Sequence, residues 1–76
     1  MPMIFVEKTL YEAGDRFQFR LRRCEIQPTS VKWTMNGKNY QTGEAITLST
    51  GSHIVQAVLT FSDGSTQTLV QEIGVL

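Results

Sequence analysis

With 76 residues, 41% hydrophobic and 18% charged, the sequence describes one small globular domain spanning 1–76 and excludes a disordered tail. Seven basic and seven acidic side chains cancel, so no net field steers the chain toward nucleic acid or an anionic membrane. No run of eighteen apolar residues offers a membrane span. Met1–Val6 lacks the basic start and the apolar length of a secretory signal, so any export signal is expected outside this segment.

Period-two alternation runs through the chain, and no dozen-residue window carries a helical stripe. Ile4–Lys8 predicts a first strand, and Tyr11–Asp15 a connection with Gly14 at a turn. From Arg16 the pattern is clear. Phe17, Phe19 and Leu21 share the face expected in the core, while Arg16, Gln18, Arg20 and Arg22 share the solvent face. Glu25–Ser30 contains Pro28, which lacks a ladder donor, and reads as a link. Val31, Trp33 and Met35 then alternate with Lys32 and Thr34 as far as Asn36-Gly37, a dipeptide that predicts a type I′ hairpin. Asn39 and Tyr40 return, Gln41–Glu44 turns, and Ala45–Leu48 predicts a strand with Ile46 and Leu48 inward.

The longest run is Ser52–Phe61. His53, Val55, Ala57, Leu59 and Phe61 form one face, and Ile54 and Val58 make the other partly apolar, as suits a central strand. Ser62–Ser65 predicts a hairpin, and Thr66–Val75 pairs back with Leu69, Ile73 and Val75 inward. A bulge near Gln71 is expected to absorb a change of phase after Val70. Six or seven short strands about ten residues apart predict an all-β fold, an antiparallel sandwich with Trp33 in its core.

From Val31 onward, beginning with Val31-Lys32-Trp33, the order of elements resembles a known class. A tryptophan strand, a glycine turn at Asn36-Gly37, the run Gly51-Ser52-His53-Ile54-Val55 and the Asp63-Gly64 hairpin resemble the polycystic-kidney-disease-type (PKD-like) repeats and related bacterial immunoglobulin-like modules. Tyr11–Asp15 is similar to the x-x-Gly-(Asp/Glu) turn before their second strand, while Asn36-Gly37-Lys38 departs from their glycine-aspartate-glycine loop. The resemblance implies an immunoglobulin-like β-sandwich of about seven short strands in an extracellular or periplasmic bacterial protein. It further implies a non-catalytic structural or spacer module, partnered by neighbouring domains of a larger chain or by another protein.

The residues able to carry chemistry are few. Cys24 is the only cysteine, which excludes an internal disulfide and paired-cysteine zinc motifs; it is expected as a half-buried apolar side chain. His53 is the only histidine, so a triad would have one base, and its inward position predicts a ring nitrogen bonded to backbone. Asp15 and Asp63 sit beside glycines, where turn chemistry accounts for them better than acid catalysis; a calcium site built from loop oxygens is the alternative. No catalytic residue, cofactor or metal is expected. The charges are uneven: seven cations against four acids leave the first 38 residues at +3, and Glu44, Asp63 and Glu72 leave the rest at −3. The two halves either attract one another or present different surfaces. The candidate interaction face is Arg16, Arg20 and Arg22, three guanidinium groups on one strand face able to bind phosphate, carboxylate or an acidic protein partner; the alternative is a solvated strand face on which arginine discourages edge pairing. A glycan is the other ligand class, and Tyr11 and Tyr40 are the aromatics left to stack on it. Nucleic acid is not expected, because Phe17 and Phe19 point away from the arginines.

Overall fold

The computed structural model describes Met1–Leu76, which forms eight strands and no helix. In chain order they are β1 (Met3–Ile4), β2 (Arg16–Gln18), β3 (Leu21–Arg22), β4 (Ser30–Met35), β5 (Lys38–Tyr40), β6 (Ala45–Thr47), β7 (Gly51–Thr60) and β8 (Thr66–Val75). Four of them make one antiparallel sheet in the order β5-β4-β7-β8. Asn36 and Gly37, at φ 52° and 80°, close β4 on β5 with Met35 opposite Lys38. Both positions of a type I′ turn need positive φ, which glycine takes freely and asparagine tolerates.

The second layer uses the Arg16–Arg22 run twice. β2 pairs with β6, and β3 pairs with β1. Phe19 donates its N–H to the Glu44 carbonyl, whereas the carbonyl of Arg20, one residue on, accepts from Phe5. Backbone groups of successive residues point to opposite edges of a strand. The run therefore carries β6 along one edge and β1 along the other, and counted as one strand it brings the total to seven. This is the A-B-E and C′-C-F-G division of an immunoglobulin-like sandwich, with a buried tryptophan on the third strand as that fold prefers.

Three local expectations are corrected. The first strand is Met3–Ile4, not Ile4–Lys8: after Phe5 the chain leaves the small layer and crosses to the other sheet. Tyr11 is not a plain connection. It runs parallel to Val75, exchanges bonds with Gly74 and Leu76 at 2.9 Å, and is only 3% exposed. A five-residue alternation does not reveal that its segment changes partners. There is also no bulge near Gln71. The β7–β8 register runs unbroken from Gly51 opposite Val75 to Thr60 opposite Thr66. Leu69, Ile73 and Val75 stay in phase, with Gln71 a half-buried polar member of the same row. It lies beside a groove that Val6–Thr9 share with residues 71–73, and its amide donates to the Glu72 carbonyl at 3.0 Å.

The core lies between the layers. Trp33, Phe19, Leu59, Ile73 and Val55 are its largest fully buried side chains. Phe19 of the small layer meets Trp33 edge-on at 5.5 Å and stacks on Tyr40 at 4.5 Å, and Phe17 meets Phe19 edge-on at 5.1 Å. Truncating such a ring costs about 3–5 kcal/mol. The indole N–H of Trp33 is not orphaned, since it donates to Thr42 Oγ1 at 2.8 Å.

Two matching turns close the ends of the β2–β6 ribbon. In Glu12–Asp15 and Gln41–Glu44 the third residue is a glycine at φ 93° and 89°. In each the terminal carboxylate accepts the backbone N–H of the first residue, at 3.0 Å. Gly14 and Leu48 bond across one end, Gly43 and Phe19 across the other. These turns mark two poles. At the first gather Met1, the Arg23–Thr29 link and the Phe61–Ser65 turn; at the second gather Tyr11–Asp15, Asn36, Ser49–His53 and Leu76.

Candidate functional site

The arginines do not all share one place. Arg16 opposes Thr47 toward the second pole, while Arg20 lies four residues on, about 13 Å along an extended chain. Arg20 and Arg22 line a groove of about 590 Å³ at the first pole, with Arg23, Cys24, Gln27, Pro28, Thr29, Ser30, Val31 and Thr42. The expected set of Arg16, Arg20 and Arg22 is thus divided, and Arg23 replaces Arg16. Strand alternation assigns Arg23 to the face opposite Arg22. Its φ of 59° breaks the alternation and turns the chain into the link, so Arg23 borders the same groove. Left-handed backbone is uncommon outside glycine and is enriched at Asn, Asp and His, so an arginine gives no sign of it in the sequence.

The frame around the groove is tied down. Thr29 reaches the Thr60 carbonyl through its N–H at 2.7 Å and its hydroxyl at 3.0 Å. The Gln27 amide donates to the Cys24 carbonyl at 3.2 Å. The Arg20 guanidinium lies 5.2 Å from the centre of the Phe5 ring, a cation–π contact that steadies the side chain without neutralising it. No carboxylate lines the groove. The one ion pair of the chain is Lys8 with Asp15, at 2.7 Å on the other pole. The attraction allowed by the unequal charge of the two halves is therefore not realised as an ion pair, because Lys8 and Asp15 both belong to the first half. Three unneutralised guanidinium groups around one concavity suit a carboxylate or phosphate group, which a planar guanidinium binds through two parallel hydrogen bonds.

The remaining candidates have structural employment. His53 is 8% exposed, with Nδ1 2.7 Å from the Asn36 amide nitrogen and Nε2 2.8 Å from the Ser49 carbonyl. An amide nitrogen only donates and a carbonyl only accepts, so Nδ1 is the acceptor and Nε2 carries the proton. The ring bridges the β4–β5 turn and the entry to β7. Asp15 accepts from the Glu12 N–H and from Lys8, which hold its carboxyl below the usual range, and its carboxylate in turn lifts the Lys8 ammonium above its own. Asp63 accepts from the hydroxyl and the N–H of Ser65, which lower it likewise. Both aspartates thus serve turns, and no three His, Cys, Asp or Glu side chains come together. Cys24 is half-buried at the groove margin. Tyr11 is in the core and Tyr40 is stacked on Phe19, so the two offer no common exposed plane to a sugar.

Fold and groove together define an immunoglobulin-like antiparallel β-sandwich with a basic groove at one pole. Compared with protein families, with curated proteins and with solved structures, the chain matches none.

Proposed function

We propose that the chain is a non-catalytic structural or spacer module of a larger surface or secreted protein. The observation that carries this reading is the position of the two chain ends. Met1 lies with Glu25, Ile26 and Phe61 at the first pole; the Leu76 carbonyl accepts from Thr50 and Ala13 at the second. The ten-residue β7–β8 ribbon between them is about 33 Å long. A module entered at one pole and left at the other extends a chain of domains, and its resemblance to PKD-like repeats points to the same use and to an extracellular or periplasmic setting. Two copies joined end to end, studied by small-angle X-ray scattering, should give a rod close to twice the 40 Å length of one copy. A side-by-side particle of unchanged length overturns the reading.

The groove favours a second reading, a module that holds an acidic segment of a protein partner. A hexaglutamate peptide at low salt should shift the Arg20, Arg22 and Arg23 side-chain resonances and the Cys24 and Thr29 amides. The shifts should fade at high salt and in the R20Q/R22Q/R23Q variant, because exposed charge pairs are screened within about 10 Å at 0.1 M. Shifts that persist in the variant place the peptide elsewhere.

A further inference from the structure

The large sheet ends on one side at β8, and no strand pairs with that edge before Gly74; Val6–Thr9 flanks it across a groove only at residues 71–73. The Phe61 N–H bonds the Ser65 carbonyl, which fixes the alternation: odd residues of β8 turn their backbone groups toward β7 and even residues turn theirs outward. The outward carbonyl of Gly74 accepts the Tyr11 N–H, and the Tyr11 carbonyl accepts from Leu76. Thr66, Thr68, Val70 and Glu72 receive no such strand. Only the Glu72 carbonyl has a partner, the Gln71 side-chain amide, and its second lone pair stays free.

Such an edge is a template for another strand, and proteins that keep theirs single protect it with lysine, proline, a bulge or a covering loop. Thr66–Glu72 has no lysine or proline, and its register is unbroken. Val70 is 62% exposed at its middle, and Ile54 of β7, on the same outer face, is 53% exposed.

We infer that β8 pairs antiparallel with β8 of a second copy of this chain about a two-fold axis, joining the two large sheets into one. A strand that meets itself needs a sequence compatible with its own reverse. Glu72 is the only charge between Thr66 and Val75. With Thr68 opposite Val70 of the other copy, each Glu72 faces a Thr66, so the two carboxylates lie at opposite ends of the ladder. The same register uses all four outward residues of each strand in about eight hydrogen bonds, those at Glu72 requiring Val6–Thr9 to move aside. It sets the exposed Val70 beside the threonine methyl of the facing Thr68. The inference is independent of the arginine groove.

Sedimentation of the full chain across micromolar to millimolar concentration should show a monomer–dimer equilibrium. Hydrogen exchange at Thr68 and Val70 should slow at least tenfold between the two extremes, while Gly51 and Val75, bonded within each copy, change little. The Val70→Pro variant removes an N–H that points outward, so no bond to β7 is lost; it should remain monomeric with Trp33 fluorescence intact. Val70→Lys, which keeps the strand geometry, should weaken the dimer at least tenfold and serves if the proline variant does not fold. A chain that stays monomeric at millimolar concentration overturns the inference. So does a dimer that survives Val70→Lys, or one that protects the β5 edge or the groove in place of β8.

Discussion

The two poles of the sandwich are built from the same kinds of turn and differ in how their polar side chains are used. At the second pole nearly every one has an internal partner: Lys8 with Asp15, His53 with Asn36 and Ser49, and Thr50 with Leu76. At the first pole the backbone of the Arg23–Thr29 link is tied down, while Arg22 and Arg23 form no ion pair and Arg20 rests on Phe5. Polar side chains bonded to each other hold a fold together. Charged side chains left free around a concavity remain available to something else. The second pole should therefore answer to mutation in stability, and the first in binding.

Among the polar side chains of the two poles, the largest effect is expected at His53. Removing the ring by His53→Ala strands the Asn36 amide and the Ser49 carbonyl in a part-buried site, at a cost of about 1–3 kcal/mol in urea unfolding. Nitrogen-15 NMR should find the proton on Nε2. A protonated Nδ1 would break the proposed division of labour at its strongest point.

A much smaller effect is expected at the first pole. Replacing Arg20, Arg22 and Arg23 together by glutamine should change stability by no more than about 0.5 kcal/mol at Arg22 and Arg23 and about 1 kcal/mol at Arg20, which also gives up its contact with Phe5. A larger loss would mean that the arginines hold the link in place, and the contrast between the poles would collapse.

The smallest effect concerns pH. Asp15 and Asp63 are held below the ordinary aspartate value of 3.8, so their contribution is present above that value and is lost as pH falls through the lowered one. Lys8 is raised above 10.5; its contribution is present below that value and lost as pH rises through the raised one. All three side chains face solvent, so each loss is modest. Thermal unfolding of Asp15→Asn against pH should depend less on acid than the parent does, and Asp63→Asn should act at the other pole in the same sense. An unaltered acid limb in Asp15→Asn would show that the carboxylate does not contribute to the turn.

Much of this was legible in the chain. The alternation of Phe17 and Phe19 with Arg16 and Gln18, and of Trp33 and Met35 with Lys32 and Thr34, names the buried faces, because a strand has a period of two. Asn36-Gly37 names its turn, because few other dipeptides accept two left-handed positions. The groove was only partly legible. Arg20 and Arg22 stand in the visible stripe, but Arg23 enters through a local left-handed residue, and Arg16 is excluded by distance along the strand.

By itself, then, the sequence determined the all-β class, the inward rows and the two-residue hairpin, all of which rest on interactions between residues close along the chain. Only the tertiary structure decided which strand edges meet. It set Tyr11 against Val75, divided Arg16–Arg22 between β6 and β1, gathered three arginines without a carboxylate, and left the outer edge of Thr66–Glu72 without a paired strand. Backbone hydrogen bonds are nearly the same for every residue type. Side-chain pattern therefore says which face of a strand is buried, and the packing of the whole chain settles which edges are paired.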